Sequence, residues 1–248
     1  MNGVRLAVSW LTVLPVRGPE TVDRTAGGRA IGWAPVVGLL IGTGAAGMMW
    51  LLGAAGATAL LAGFVGVAAM ALITRGMHVD GLADTMDGLG SYGPPERARE
   101  IMKSGGAGPF GVAAVVFAIG IQAVSFAALA EAGRWAAVVV AVMVGRVAVV
   151  FACRRGIRAA PGAGFGALVA GTQLPVVALG WAGIAIAAAV FATDDWWLGP
   201  VAVCVALGGA ALLVRHCVRR FGGLNGDVLG AAVELSVSIA AAVLTLRS

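Results

Sequence analysis

The chain has 248 residues, 60% of them hydrophobic and only 12% charged, with 39 glycines and a mean hydropathy of +0.95. This excludes an ordinary soluble domain and predicts membrane helices, each needing a run of about 17–25 apolar residues. The net charge of +5 comes from basic residues spread over short loops without forming a stripe, so no nucleic-acid partner is expected.

In chain order, Val4 to Leu14 is apolar but short. No small-residue cleavage site follows it cleanly, so it reads as an interfacial or re-entrant piece rather than a cleaved signal. Seven spans are predicted: Ile31–Leu52, Ala54–Thr74, Pro109–Ala130, Trp135–Cys153, Leu174–Ala192, Pro200–Val214 and Val228–Leu246. The sixth is short for a bilayer. The fold class is therefore all-α, a polytopic membrane helical bundle forming one domain over residues 1–248. With seven spans, fourteen of the 17 basic residues fall on the side of the N-terminus. Arg134 and Arg247 fall opposite, and Arg146 lies within a span. That asymmetry predicts a cytoplasmic N-terminus in the cell membrane. Trp50, Trp135, Trp196 and Trp197 would form the outer aromatic belt. Gly38-x-x-x-Gly42 permits close helix packing but recurs by chance in so glycine-rich a chain. Cys153, Cys204 and Cys217 form no Cys-x-x-Cys pair and read as small apolar residues.

The chemistry is concentrated in His78-Val79-Asp80-Gly81-Leu82-Ala83-Asp84-Thr85-Met86-Asp87-Gly88. On a helix Asp80, Asp84 and Asp87 stand at i, i+4 and i+7, within an arc of about 60°. Carboxylates beside hydrocarbon are costly and call for a cation or a wet site. A second acidic pair, Asp227 and Glu234, lies on nearly one face of the last span. Oxygen ligands without a cysteine or histidine cluster favour Mg²⁺, with Mn²⁺ as the alternative, over Zn²⁺. Carboxylate-held metal suits phosphoryl transfer. His78 would point about 160° from Asp80 on a continuous helix and reach the site only if the helix begins after it. The loop Ser104-Gly105-Gly106-Ala107-Gly108-Pro109-Phe110-Gly111 offers backbone N–H groups to a phosphate but lacks a Walker A ending. Arg99 and Lys103 could neutralise phosphate, and Arg146 could pair with an acidic residue or a substrate phosphate.

These residues together resemble the cobalamin synthase family, adenosylcobinamide-GDP ribazoletransferase. Leu11-Thr12-Val13-Leu14-Pro15 looks like its Thr-x-Leu-Pro segment, and Pro35-Val36-Val37-Gly38 like its Pro-x-x-Gly. His78 to Gly90, Arg99 to Lys103 with Gly108 to Gly111, and Gly222 to Glu234 resemble its remaining blocks, in order. The chain departs at Ser104-Gly105-Gly106, where many members carry Asp-Ser-Arg, and at Asn225, where threonine is common.

The resemblance implies joining of adenosylcobinamide-GDP to α-ribazole, or its 5′-phosphate, releasing GMP with Mg²⁺, the ribazole 5′-hydroxyl attacking phosphorus. On this reading Asp80, Asp84, Asp87 and Asp227 hold the metal, and Asp87 or His78 takes the hydroxyl proton. Glu234, Arg146, Lys103 and Asn225 contact substrate. Assembly into a homo-oligomer is left open. The competing expectations are a CDP-alcohol phosphotransferase of lipid synthesis and an ion-coupled transporter; no acidic relay through the spans supports the latter.

Overall fold

The computed structural model describes residues 3–18 and 21–246; Arg247, used above in the charge asymmetry, lies outside the described residues. Twelve helices occur among the described residues, with no strand and only two isolated bridges. Two short helices come first, α1 (Gly3–Leu11) and α2 (Arg24–Gly32). They are followed by α3 (Ala34–Ala54), α4 (Ala59–Ile73), α5 (Met77–Gly90), α6 (Pro95–Met102), α7 (Pro109–Glu131) and α8 (Trp135–Ala152). The chain ends with α9 (Phe165–Val169), α10 (Pro175–Val190), α11 (Leu198–Phe221) and α12 (Gly226–Leu244).

Helices α3, α7, α8, α11 and α12 are long and apolar enough to cross a membrane. A sixth span is reached if α4 and α5 count as one broken element. Each of the seven expected spans has a helix, but the short ones are not the one anticipated. Helix α11 runs 24 residues to Phe221, whereas α10 has 16 and α4 has 15. Arginine is a good helix former, so Arg215, Arg219 and Arg220 extend α11 beyond its apolar window. Gly222, at φ +77°, ends it in a left-handed turn.

Helix α8 is the centre of the bundle, buried on almost every side and packed by α3, α10, α11 and α12. Small residues allow this closeness. A Cβ on Gly42 would come within 3.0 Å of the Val139 backbone, and one on Gly145 within 2.7 Å of Val237. Gly38 and Gly42 therefore do serve as the α3–α8 contact.

The break that makes the site follows α4. Arg75 (φ +57°) and Gly76 (φ +68°) are consecutive left-handed residues, and they turn α5 by 90° from α4. The turn is held from the N-terminal segment: Val13 N–H donates to the Ile73 carbonyl at 2.8 Å and Arg75 to the Thr12 carbonyl at 3.3 Å. Helix α5 thus leaves the direction of α4 and packs against α12 and α7.

Candidate active site

Helices α5 and α12 cross at glycine. A Cβ on Gly81 would lie 2.7 Å from the Asp227 carbonyl, and one on Gly230 3.1 Å from His78 Cα. This contact brings the first acidic run beside the start of the last helix. Asp80 is exposed, while Asp84 and Asp227 are partly buried. The Asp84 carboxyl is pushed up to about 6, first by burial and then by repulsion from Asp80, Asp227 and Asp87. The carboxylates separated by some 140 positions in sequence therefore share one field.

Asn225 prepares Asp227. Its Oδ1 accepts from Val228 N–H at 3.0 Å, capping α12, and its Nδ2 donates to Asp227 Oδ2 at 3.0 Å. Both ends of the amide are spent inside the protein, so Asn225 orients Asp227 rather than reaching outward. The preceding Gly223, at φ +153°, leaves no room for a side chain, since a Cβ would sit 2.4 Å from the Ala159 carbonyl carbon. There the chain is threaded against residues 158–160 through Leu224 N–H to Arg158 O (2.8 Å) and Ala160 N–H to Leu224 O (2.9 Å).

Asp87 has a different setting from the one expected. Its Oδ2 accepts from Gly108 N–H at 2.6 Å and its Oδ1 from Gly111 N–H at 2.8 Å. Both oxygens are committed to the N-terminus of α7, where the helix dipole favours a negative charge. A Cβ on Gly108 would lie 2.6 Å from Asp87 Oδ1, which explains glycine at this position. The Gly-rich loop therefore gives these N–H groups to the protein's own carboxylate, not to a phosphate. Asp87 positions the start of α7, and each of its oxygens keeps a lone pair beyond the bond it accepts.

His78 also departs from its expected role. Helix α5 begins at Met77, so His78 is already helical and buried, with Nδ1 3.5 Å from Arg146 NH2. The helix does not begin after it, yet His78 lines the same large cavity as Asp80 and Asp227. Arg146, Glu234 and Gln122 line the same small internal cavity as His78, about 20 Å³, which is room for one water. Gln122 Nε2 donates to Glu234 Oε2 at 2.7 Å and to Ser238 Oγ at 3.2 Å. Arg146 Nε is buried without a partner. Glu234 and Arg146 thus belong to a polar network within the bundle, behind the acidic face, and Gln122 is a member that sequence spacing gave no means of finding.

Two larger cavities flank Asp227. The first, about 200 Å³, is lined by Arg99, Lys103, Asn225 and Asp227, among others. Arg99 is fixed by donation to the Phe221 carbonyl at 2.8 Å and to Glu96 at 2.9 Å. The exposed Lys103 lies within electrostatic reach of Asp227. The second cavity, about 710 Å³, has Asp80 and Asp227 on a mainly apolar wall that includes Trp10 and Phe165. Neither aromatic residue carries a motif that would have marked it in advance.

Among the described residues no three His, Cys, Asp or Glu side chains are gathered closely enough to cage a metal. Mg²⁺ does not ask for that: it is usually held by one or two carboxylates, waters and substrate phosphates. One or two of the carboxylates Asp80, Asp84 and Asp227, all oxygen donors within electrostatic reach of one another, fit such an ion.

The helical bundle and its carboxylate-lined end define a polytopic membrane protein with its polar chemistry at the helix ends. The sequence model of the cobalamin-5-phosphate synthase family (CobS) matches residues 3–245. The chain belongs to that family. Curated relatives named adenosylcobinamide-GDP ribazoletransferase include one from Corynebacterium efficiens, 39% identical over 97% of this chain and 90% of its own length. One from Frankia casuarinae is 38% identical over 96% of this chain and 92% of its own, and one from Nocardioides sp. 40% identical over 94% of each. No solved structure matches the chain.

Proposed function

We propose that this protein is an adenosylcobinamide-GDP ribazoletransferase that joins adenosylcobinamide-GDP to α-ribazole, or its 5′-phosphate, at the cytoplasmic face of the cell membrane. The observation that carries the reading is the close crossing of α5 and α12 at Gly81 and Asp227, which sets Asp80, Asp84 and Asp227 within electrostatic reach of one another, in a chain that belongs to this family over almost its whole length.

The reaction is a displacement at phosphorus. A ribazole hydroxyl oxygen bonds to the phosphorus attached to cobinamide, and the bond from that phosphorus to the bridging diphosphate oxygen breaks. GMP leaves with that oxygen and its electron pair. The attacking hydroxyl is not the 5′ one anticipated above, because a 5′-phosphorylated co-substrate gives a 5′-phosphorylated product. A secondary ribose hydroxyl must attack.

Asp80, Asp84 and Asp227 would hold Mg²⁺, with Mn²⁺ as a substitute; when bound, the ion neutralises diphosphate charge and stabilises the leaving oxygen. Lys103 adds a further positive charge for the diphosphate. Asn225 keeps Asp227 oriented. Asp80, the most exposed of the three carboxylates, accepts the hydroxyl proton. Asp87 fixes the start of α7 and so the wall on which α5 rests. Arg146 and Glu234 hold the helices behind this face, and His78 joins them to the wall of the larger cavity. The test is release of GMP by the purified chain in liposomes, with and without Mg²⁺, from adenosylcobinamide-GDP and α-ribazole. Substitution of Asp84 by asparagine abolishes the Mg²⁺-dependent release if the reading holds; undiminished release removes Asp84 from the metal site.

A further inference from the structure

The two cavities beside Asp227 differ in charge, and the difference assigns them to different substrates; this inference rests on the transferase reading and deepens it. Among the described residues, the 710 Å³ cavity carries Asp80 and Asp227 but no Arg or Lys on its wall. A polyphosphate or a phospholipid headgroup entering it would face two carboxylates with no compensating cation, which Coulomb repulsion disfavours. Apart from His78, the side chains on the rest of the wall are apolar, with Leu168 and Ile31 beside Trp10 and Phe165. Those two rings meet edge to face, their centroids 5.2 Å apart at 68°. The occupant that suits such a space is a neutral, flat heterocycle bearing hydroxyls at one end. The 200 Å³ cavity has the opposite character, with Arg99 and Lys103 on its wall. The two share Phe165, Gly226 and Asp227.

We propose that the larger cavity seats the aromatic base of the ribazole and that Trp10, Phe165 and Leu168 determine which base is accepted, while the smaller cavity receives the diphosphate of the GDP-linked substrate. A hydroxyl presented past Asp80 and Asp227 then approaches phosphorus from one side while the diphosphate is held on the other. In-line displacement requires that arrangement.

The experiment uses the full chain in liposomes and varies each substrate against a saturating level of the other. Leu168→Trp, which fills the cavity, and Trp10→Ala, which removes a wall, are each expected to raise KM for α-ribazole about tenfold or more. KM for adenosylcobinamide-GDP stays within about twofold. Trp10→Phe restores most of the α-ribazole affinity. Trp10→Ala also narrows the preference for α-ribazole over the riboside of unsubstituted benzimidazole. Equilibrium dialysis with α-ribazole alone gives a reading independent of turnover, with binding to the wild type weakened in Leu168→Trp. Wild-type protein that binds α-ribazole but releases no GMP would overturn the transferase reading and leave the cavity assignment standing. Unmoved α-ribazole KM and unmoved dialysis binding in both folded variants would overturn the cavity assignment alone. Parallel shifts for both substrates would overturn the partition.

Discussion

Asp87→Asn separates a positioning carboxylate from a metal ligand. The wild-type side chain accepts backbone N–H groups at both oxygens, 2.6 Å from Gly108 and 2.8 Å from Gly111, the latter bond fully buried. Asparagine keeps the shape but replaces one acceptor by an NH₂ group that faces an N–H donor. A hydrogen bond to a charged group contributes about 1.5–3 kcal/mol. The lost charge at the start of α7 costs a further 0.3–1 kcal/mol or so. The substitution should therefore destabilise the protein by about 2–4 kcal/mol. Reversible unfolding in mixed micelles measures this, alongside a Mg²⁺ titration of GMP release. The expected result is a lowered unfolding midpoint with an apparent Mg²⁺ affinity that changes far less than in Asp84→Asn. Unchanged stability combined with a selective loss of Mg²⁺ response would refute the positioning role and return Asp87 to the metal.

Asp84 gives a pH dependence. At the proposed Mg²⁺ site cation binding would need its ionised form, and the carboxyl is raised to about 6, so Mg²⁺ affinity should be full above that pH and fall as pH drops through it. Mg²⁺ titrations at about pH 8 and about pH 5 should show this loss in the wild type, and Asp84→Asn should flatten it. At the α5–α12 crossing, Gly81→Val should force the helices apart and cost about 1–3 kcal/mol with most of the activity, since even a Cβ would stand 2.7 Å from the Asp227 carbonyl. Arg146→Ala should destabilise by about 1–3 kcal/mol through the cavity it leaves, while KM for adenosylcobinamide-GDP in the folded protein stays unchanged. A raised KM with unaltered stability would instead give Arg146 a phosphate.

Much of the bundle was legible because a membrane span is specified locally: each apolar run needs only its own length and composition. The helical character of the first acidic run followed from the 3.6-residue period in the same way. The site was less legible, because its decisive contacts join distant segments. Nothing in the spacing of Asp80, Asp84 and Asp87 indicates that the third reaches Gly108 and Gly111 while the first two stay free. Glu234, a carboxylate within a span, needs a partner, and that partner, Gln122, is an ordinary polar residue in an apolar span. Trp10 and Phe165 meet only because α1 and the segment around α9 fold over the same end of the bundle. The length of α11 was misjudged because apolarity measures what lies in a bilayer, whereas the helix stops where Gly222 turns.

The central claim is that Asp80, Asp84 and Asp227 form one Mg²⁺-dependent centre for transfer from a GDP-linked corrinoid to a ribazole. Its most direct test is GMP release by the purified wild type, titrated with Mg²⁺ and compared with Asp84→Asn and Asp227→Asn at matched folding. The account predicts one GMP per joined corrinoid in the wild type and a loss of at least about a hundredfold in each variant. Metal-independent release, or full activity in both variants, would contradict it.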